Sequence, residues 1–146
     1  MSAPAAALRP DYNLADQERM RRARHYFAWQ YRLAAPYLGR KVIEIGCGIG
    51  NFTCWLRDRD SVIAVDADPL CLGRLEARWA GDAALRTMAA EAGHGRLLAL
   101  APSGADSCVA LNVLEHIADD RLALEEMAAL VRPGGRVILL VPAFPA

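Results

Sequence analysis

Between Glu44 and Asn51 the chain reads Glu-Ile-Gly-Cys-Gly-Ile-Gly-Asn, an acid followed by glycines at Gly46, Gly48 and Gly50. Glycines at this spacing let backbone approach a ligand closely, and a helix after the turn offers unpaired N–H groups to it. Such a turn is suited to a nucleotide-type ligand, although three glycines could also serve a tight strand-to-helix turn alone. The dinucleotide fingerprint G-x-G-x-x-G would place its third glycine at position 51, where Asn51 stands. Asp66 ends an apolar run farther along the chain. A carboxylate at the carboxyl end of a strand can accept both hydroxyl protons of a ribose and would repel a 2′-phosphate. Asp66 could instead join Asp68 in capping a helix. Glu115-His116 is the third chemical feature, because an imidazole can act as a general base near neutral pH.

These residues need elements to hold them. Residues 1–11 are Ala/Pro-rich and read as a loose arm. Leu14 to Leu38 suits one long amphipathic helix, with Phe27, Tyr31, Ala34 and Leu38 on one face and Pro36 near its end. Strands are expected at Lys41–Gly46, Ser61–Val65, Leu85–Ala89, Ser107–Leu111 and Arg136–Val141. Helices are expected over Asn51–Arg57, from Asp68-Pro69 to about Ala80, and from Asp119 or Asp120 to Val131. Residues 90–105 fit neither pattern. Strands alternating with short helices imply βαβ units and a parallel sheet with right-handed crossovers. The fold class expected is therefore α/β, a Rossmann-like doubly wound sheet of about five strands behind an N-terminal helix. An arm and helix over 1–39 and a ligand-binding unit over 40–146 make one domain overall.

The pattern E-x-G-x-G-x-G resembles motif I of the class I S-adenosylmethionine-dependent methyltransferases. Asp66 is similar to that family's ribose acid, and Glu91 to the acid many members carry near the adenine amino group. Asp106 to Ile117, with its Leu114-Glu115-His116, resembles the fourth-strand motif, and Val131 to Arg136 the turn into strand five. The resemblance covers about residues 40–142, in the style of bacterial small-molecule or lipid-quinone-type methyltransferases. It implies S-adenosyl-L-methionine as cofactor, held by Glu44, Gly46, Cys47, Gly48, Gly50, Asp66, Ala67, Glu91 and Asn112. It also implies methyl transfer to a small-molecule acceptor, with His116 as the candidate catalytic residue. Some metal-assisted relatives use Glu-x-x-Glu-His; here Asn112 replaces the first acid, so no metal is assigned, and Glu115-His116 could equally shape the pocket wall. Tyr12, Tyr26, Trp29 and Tyr37 either pack the first helix or stand near the cofactor's methionine end.

Composition agrees with an enzyme-type domain. The chain has 146 residues, 54% hydrophobic, with 17 basic and 17 acidic side chains. That content excludes a disordered linker, and the neutral balance argues against a nucleic-acid partner. The longest apolar runs are strand-sized, so no membrane span is expected, and without a leader-like start the cytoplasm is the expected location. Cys47, Cys54, Cys71 and Cys108 have no metal-type spacing and read as small, reduced, buried thiols. Five arginines between Arg9 and Arg24 form either a solvated helix face or a contact for an anion.

The family normally adds a strand hairpin after strand five, closing the acceptor pocket; this chain ends at Ala146. Two readings follow: a methyltransferase that is minimal or completed by a partner chain, or a truncated, non-catalytic S-adenosylmethionine-binding module. Either leaves the strand ending in Val137–Val141 apolar and unpaired, and so open to self-association.

Overall fold

The computed structural model describes residues 10–143. Most of the arm expected over 1–11 lies outside them, as does the Tyr12 side chain, and a helix already begins at Pro10. Five strands form one parallel sheet: β1 (Lys41–Ile45), β2 (Ser61–Asp66), β3 (Leu85–Ala89), β4 (Ala105–Leu111) and β5 (Val131–Leu140). Their order is β3-β2-β1-β4-β5. Chain direction across the sheet therefore reverses between β1 and β4, and ligands of such sheets bind at the strand ends beside that reversal.

Both faces of the sheet are covered, which is why the central strands are apolar without alternation. On one face Ile43, Ile45, Ile63, Val65 and Cys108 meet Ala123, Met127 and Leu130 of helix α4 (Asp120–Leu130). On the other, Val42, Val62, Ala64 and Val109 meet Ala34 of α2 (Arg24–Ala34) and Leu72 and Leu75 of α3 (Pro69–Arg78). Asp68 caps α3 by accepting from the Leu70 amide at 2.9 Å, and Asp119 caps α4 by accepting from Leu122 at 2.9 Å. Among the described residues no helix is long and apolar enough to cross a membrane.

Three expected elements take another form. The helix anticipated over Leu14–Leu38 is two, α1 (Pro10–Met20) and α2, with a short 3₁₀ turn at Ala35–Tyr37. No helix breaker marks the join at residues 21–23. The break lets α1 rest on the glycine loop while α2 lies against the sheet, so tertiary contacts override helix propensity. The helix anticipated over Asn51–Arg57 contracts to a 3₁₀ turn, Thr53–Leu56. Here the Thr53 hydroxyl donates to Glu44 at 2.6 Å and ties that turn to β1. Finally, β5 starts before its expected position: Val131 pairs with Ala105, the Pro133-Gly134-Gly135 segment bulges, and pairing resumes at Arg136.

Candidate functional site

A cavity of about 510 Å³ opens at the carboxyl ends of β1, β2 and β4, beside the reversal in strand order. It is lined by Glu44, Gly46, Cys47, Gly48, Asp66, Ala67, Glu91, Asn112 and His116, joining residues spread over more than seventy positions of sequence. Gly50 does not line it. That residue has φ +88°, and a side chain there would collide with Leu75 of α3, so its task is helix packing. Gly48 does face the cavity, with φ +54°, and a side chain there would run into the Gln17 carboxamide.

Asp66 holds the loop. Its carboxylate accepts from the Gly48 amide at 2.8 Å and from the Asp68 amide at 2.9 Å. Each oxygen keeps lone-pair capacity for a further donor. Burial pushes the Asp66 carboxyl above its ordinary range, against the lowering effect of those two amides. Glu44 is 3% exposed. Burial raises its carboxyl from the ordinary 4.5 to about 8, opposed by the Thr53 hydrogen bond. Burial also pushes the Cys47 thiol up, so it is no nucleophile here.

Several residues that line the cavity or support its wall carry no sequence signature. Gln17 of α1 accepts from the Ile49 amide at 2.8 Å, and its carbonyl accepts from Asn51 Nδ2 at 2.9 Å. Gln30 is 2% exposed on the inward stripe of α2, where a polar residue among apolar ones was the only available signal. Glu126, 1% exposed on the apolar face of α4, accepts from the Gly93 amide at 2.5 Å and the Leu97 amide at 3.2 Å. It thereby fixes the loop that brings Glu91 and Ala92 to the cavity. Asn51 Oδ1 is buried without a hydrogen-bond partner among the described residues.

The rim is aromatic and polar. Tyr26 stands over it, 5.9 Å from the Trp29 ring, while His116 is exposed and 3.9 Å from Glu115. Trp29 and Tyr37 face outward rather than into the cavity. Among the described residues no group of three or more His, Cys, Asp or Glu is placed to hold a metal ion. Among the described residues the cavity wall contains three acidic side chains, Glu44, Asp66 and Glu91, and neither lysine nor arginine. Such a wall favours a cationic ligand over one carrying phosphates.

The family profile described as "Methyltransferase domain" matches residues 43–139. An uncharacterized methyltransferase of Mycobacteroides abscessus is 33% identical over 112 residues, covering 76% of this chain and 43% of that protein. A ubiquinone biosynthesis O-methyltransferase of Stutzerimonas stutzeri is 36% identical over 103 residues, covering 68% and 43%. The chain thus spans under half the length of these relatives. Among solved structures, an N-methyltransferase of Bradyrhizobium japonicum in complex with S-adenosyl-L-homocysteine superposes with a TM-score of 0.66 at 23% identity, over 80% of this chain and 60% of that one. A phosphoethanolamine N-methyltransferase of Haemonchus contortus, also with S-adenosylhomocysteine, gives 0.65 at 17% identity, over 84% and 26%.

Proposed function

The chain belongs to the class I S-adenosylmethionine-dependent methyltransferases, and from that premise we propose that it transfers a methyl group to a small-molecule acceptor through the cavity described above. The observation that carries this reading is the acidic lining of the wall: Asp66 and Glu91 stand there with the buried Glu44 and, among the described residues, no lysine or arginine does. S-adenosylmethionine is cationic at its sulfonium and at its ammonium, and fits such a wall where a dinucleotide diphosphate does not. The orphaned Asn51 Oδ1 is an acceptor suited to an ammonium donor.

When bound, S-adenosylmethionine supplies an activated methyl group on sulfur. The chain's own residues bind and align. Asp66 offers its remaining lone pairs to the ribose hydroxyls, and Gly48 brings backbone close. Glu44 steadies the loop by accepting from the Thr53 hydroxyl. Glu91 and Ala92 border the adenine side. Asn112 and Tyr26 border the mouth, and His116 stands at the rim, where it can take the acceptor's proton. Alignment and exclusion of water dominate such a displacement, so few side chains need be chemically essential.

Calorimetry with S-adenosylhomocysteine tests the reading. Binding by the wild type, with at least tenfold loss in Asp66→Ala, is expected; tighter binding of NAD than of S-adenosylhomocysteine would overturn it. Among the described residues no strand pairs with the outer edge of β5, which supports a companion proposal, self-association through Val137–Val141.

A further inference from the structure

A second cavity, of about 480 Å³, shares Asn51 and Phe27 with the first but opens between other elements. Arg21 reaches it from the connection between α1 and α2, Arg24 from the first residue of α2, Arg78 from the last residue of α3, and Trp55 from the turn after the glycine loop. Among the described residues three guanidinium groups line it and no carboxylate does.

The surroundings leave this charge largely uncompensated. Arg78 donates one hydrogen bond, to the Ile49 carbonyl at 2.9 Å. Arg21 lies 3.8 Å from Glu18, a carboxylate also 3.9 Å from Arg74. Arg24 has neither a hydrogen bond from its side chain nor an ion pair among the described residues. Like charges gathered on one cavity repel, and an oxyanion between them removes that cost. The guanidinium fork matches oxygens of a phosphate two at a time. Trp55 and Phe27 form an aromatic part of the wall, beside Asn51 and Cys54. Trp55 has one face stacked on Tyr31, with ring centroids 5.6 Å apart, and Phe27 stands beside it.

We propose that this cavity is a binding site for a phosphate monoester whose phosphate sits among Arg21, Arg24 and Arg78 and whose flat apolar group lies against Trp55 and Phe27. The site adjoins the acidic cavity through Phe27 and Asn51, but its three arginines do not line that cavity and it does not depend on methyl transfer. An anion held there bridges the α1–α2 connection, the glycine-loop turn and α3.

Titration calorimetry on the full chain, at ionic strength balanced with chloride, uses inorganic phosphate and phenyl phosphate as probes. Both should bind saturably at one site, phenyl phosphate several-fold more tightly. The R21Q/R24Q variant, altered at two exposed side chains, should bind both at least tenfold more weakly, while Arg121→Gln on the exposed face of α4 should match the wild type. No saturable binding of either probe, or equal binding by R21Q/R24Q, would overturn the site. Equal affinity for the two probes would overturn its aromatic half. A measurement on unaltered protein guards against misfolded variants: phosphate should shield Arg21 and Arg24, but not Arg121, from phenylglyoxal. Uniform labelling with and without phosphate would count against the site.

Discussion

Asn112 Nδ2 donates a 3.0 Å hydrogen bond to the Tyr26 hydroxyl, joining α2 to the turn after β4 across 86 positions of sequence. Asn112 adopts φ +55°, a left-handed conformation that Asn tolerates better than most residues, and its own amide donates to the Leu140 carbonyl at 2.8 Å. The turn is thus fixed from β5 and presents its carboxamide to Tyr26 over the cavity mouth. Tyr26→Phe removes the clasp while keeping the ring. Because the bond is exposed, stability should change by less than about 1 kcal/mol. S-adenosylhomocysteine should leave several-fold faster, as stopped-flow dissociation would read; an unchanged off-rate would mean the clasp does not gate the mouth.

Glu44 should make the free protein less stable as pH rises. Its carboxyl lies near 8 in the folded chain, above its ordinary 4.5, so the native state holds the proton more tightly. The stabilising contribution is whole below about 4.5 and is lost as pH rises through about 8, at up to about 1.4 kcal/mol per pH unit within that window. Glu44→Gln keeps the shape and removes the titration. Urea unfolding of the two proteins from pH 5 to 9 should show a falling stability for the wild type and a flatter one for the variant. Parallel curves would assign the slope to other groups.

Gly48→Ala tests the contact between α1 and the glycine loop. The left-handed backbone costs a non-glycine residue about 1–2 kcal/mol, and the new methyl meets the Gln17 carboxamide. The variant should lose about that stability in denaturant and bind S-adenosylhomocysteine at least tenfold more weakly. Adding Gln17→Ala should restore part of the stability by removing the collision, but not the backbone part.

Sequence pattern located all five strands because each is a short apolar run bounded by turn residues. Glu44, Gly48 and Asp66 were legible from spacing. Gln17 and Gln30 were not, since they reach the cavity only after the chain breaks at residues 21–23, a break forced by packing and marked by no glycine or proline. Gly50 shows the opposite limit. The spacing that suggests a ligand contact also satisfies a demand for room beneath Leu75, and only the fold separates the two.

Glu126 is expected to be the costliest carboxylate to remove on α4. Its two oxygens serve the Gly93 and Leu97 amides, and deleting them leaves two donors without acceptors in a buried setting. Each orphan costs about 1–3 kcal/mol, so Glu126→Ala should lose about 2–4 kcal/mol in equilibrium unfolding. Glu125→Ala, one position away and exposed, should lose almost nothing. Hydrogen exchange offers a local reading: Gly93 and Leu97 should lose protection in the Glu126 variant more than the amides of β1 do. Equal loss at both places would indicate general weakening instead of a freed loop.

The outer edge of β5 carries the last prediction. Among the described residues β4 is the only strand that pairs with β5, and Leu139 and Val141 are 40% and 47% exposed. An apolar strand with a free edge offers unpaired amides and carbonyls to another strand, and a second copy of the same edge is always at hand. Light scattering should therefore give a mass above the 15.9 kDa of one chain, rising with concentration. Lysine is the residue natural edges use against such pairing, so Leu139→Lys with Val141→Lys should return the protein to one chain's mass. Both positions are exposed, so thermal stability should hold within a few degrees. A wild type that stays monomeric at every micromolar concentration tested would remove the edge as an association surface.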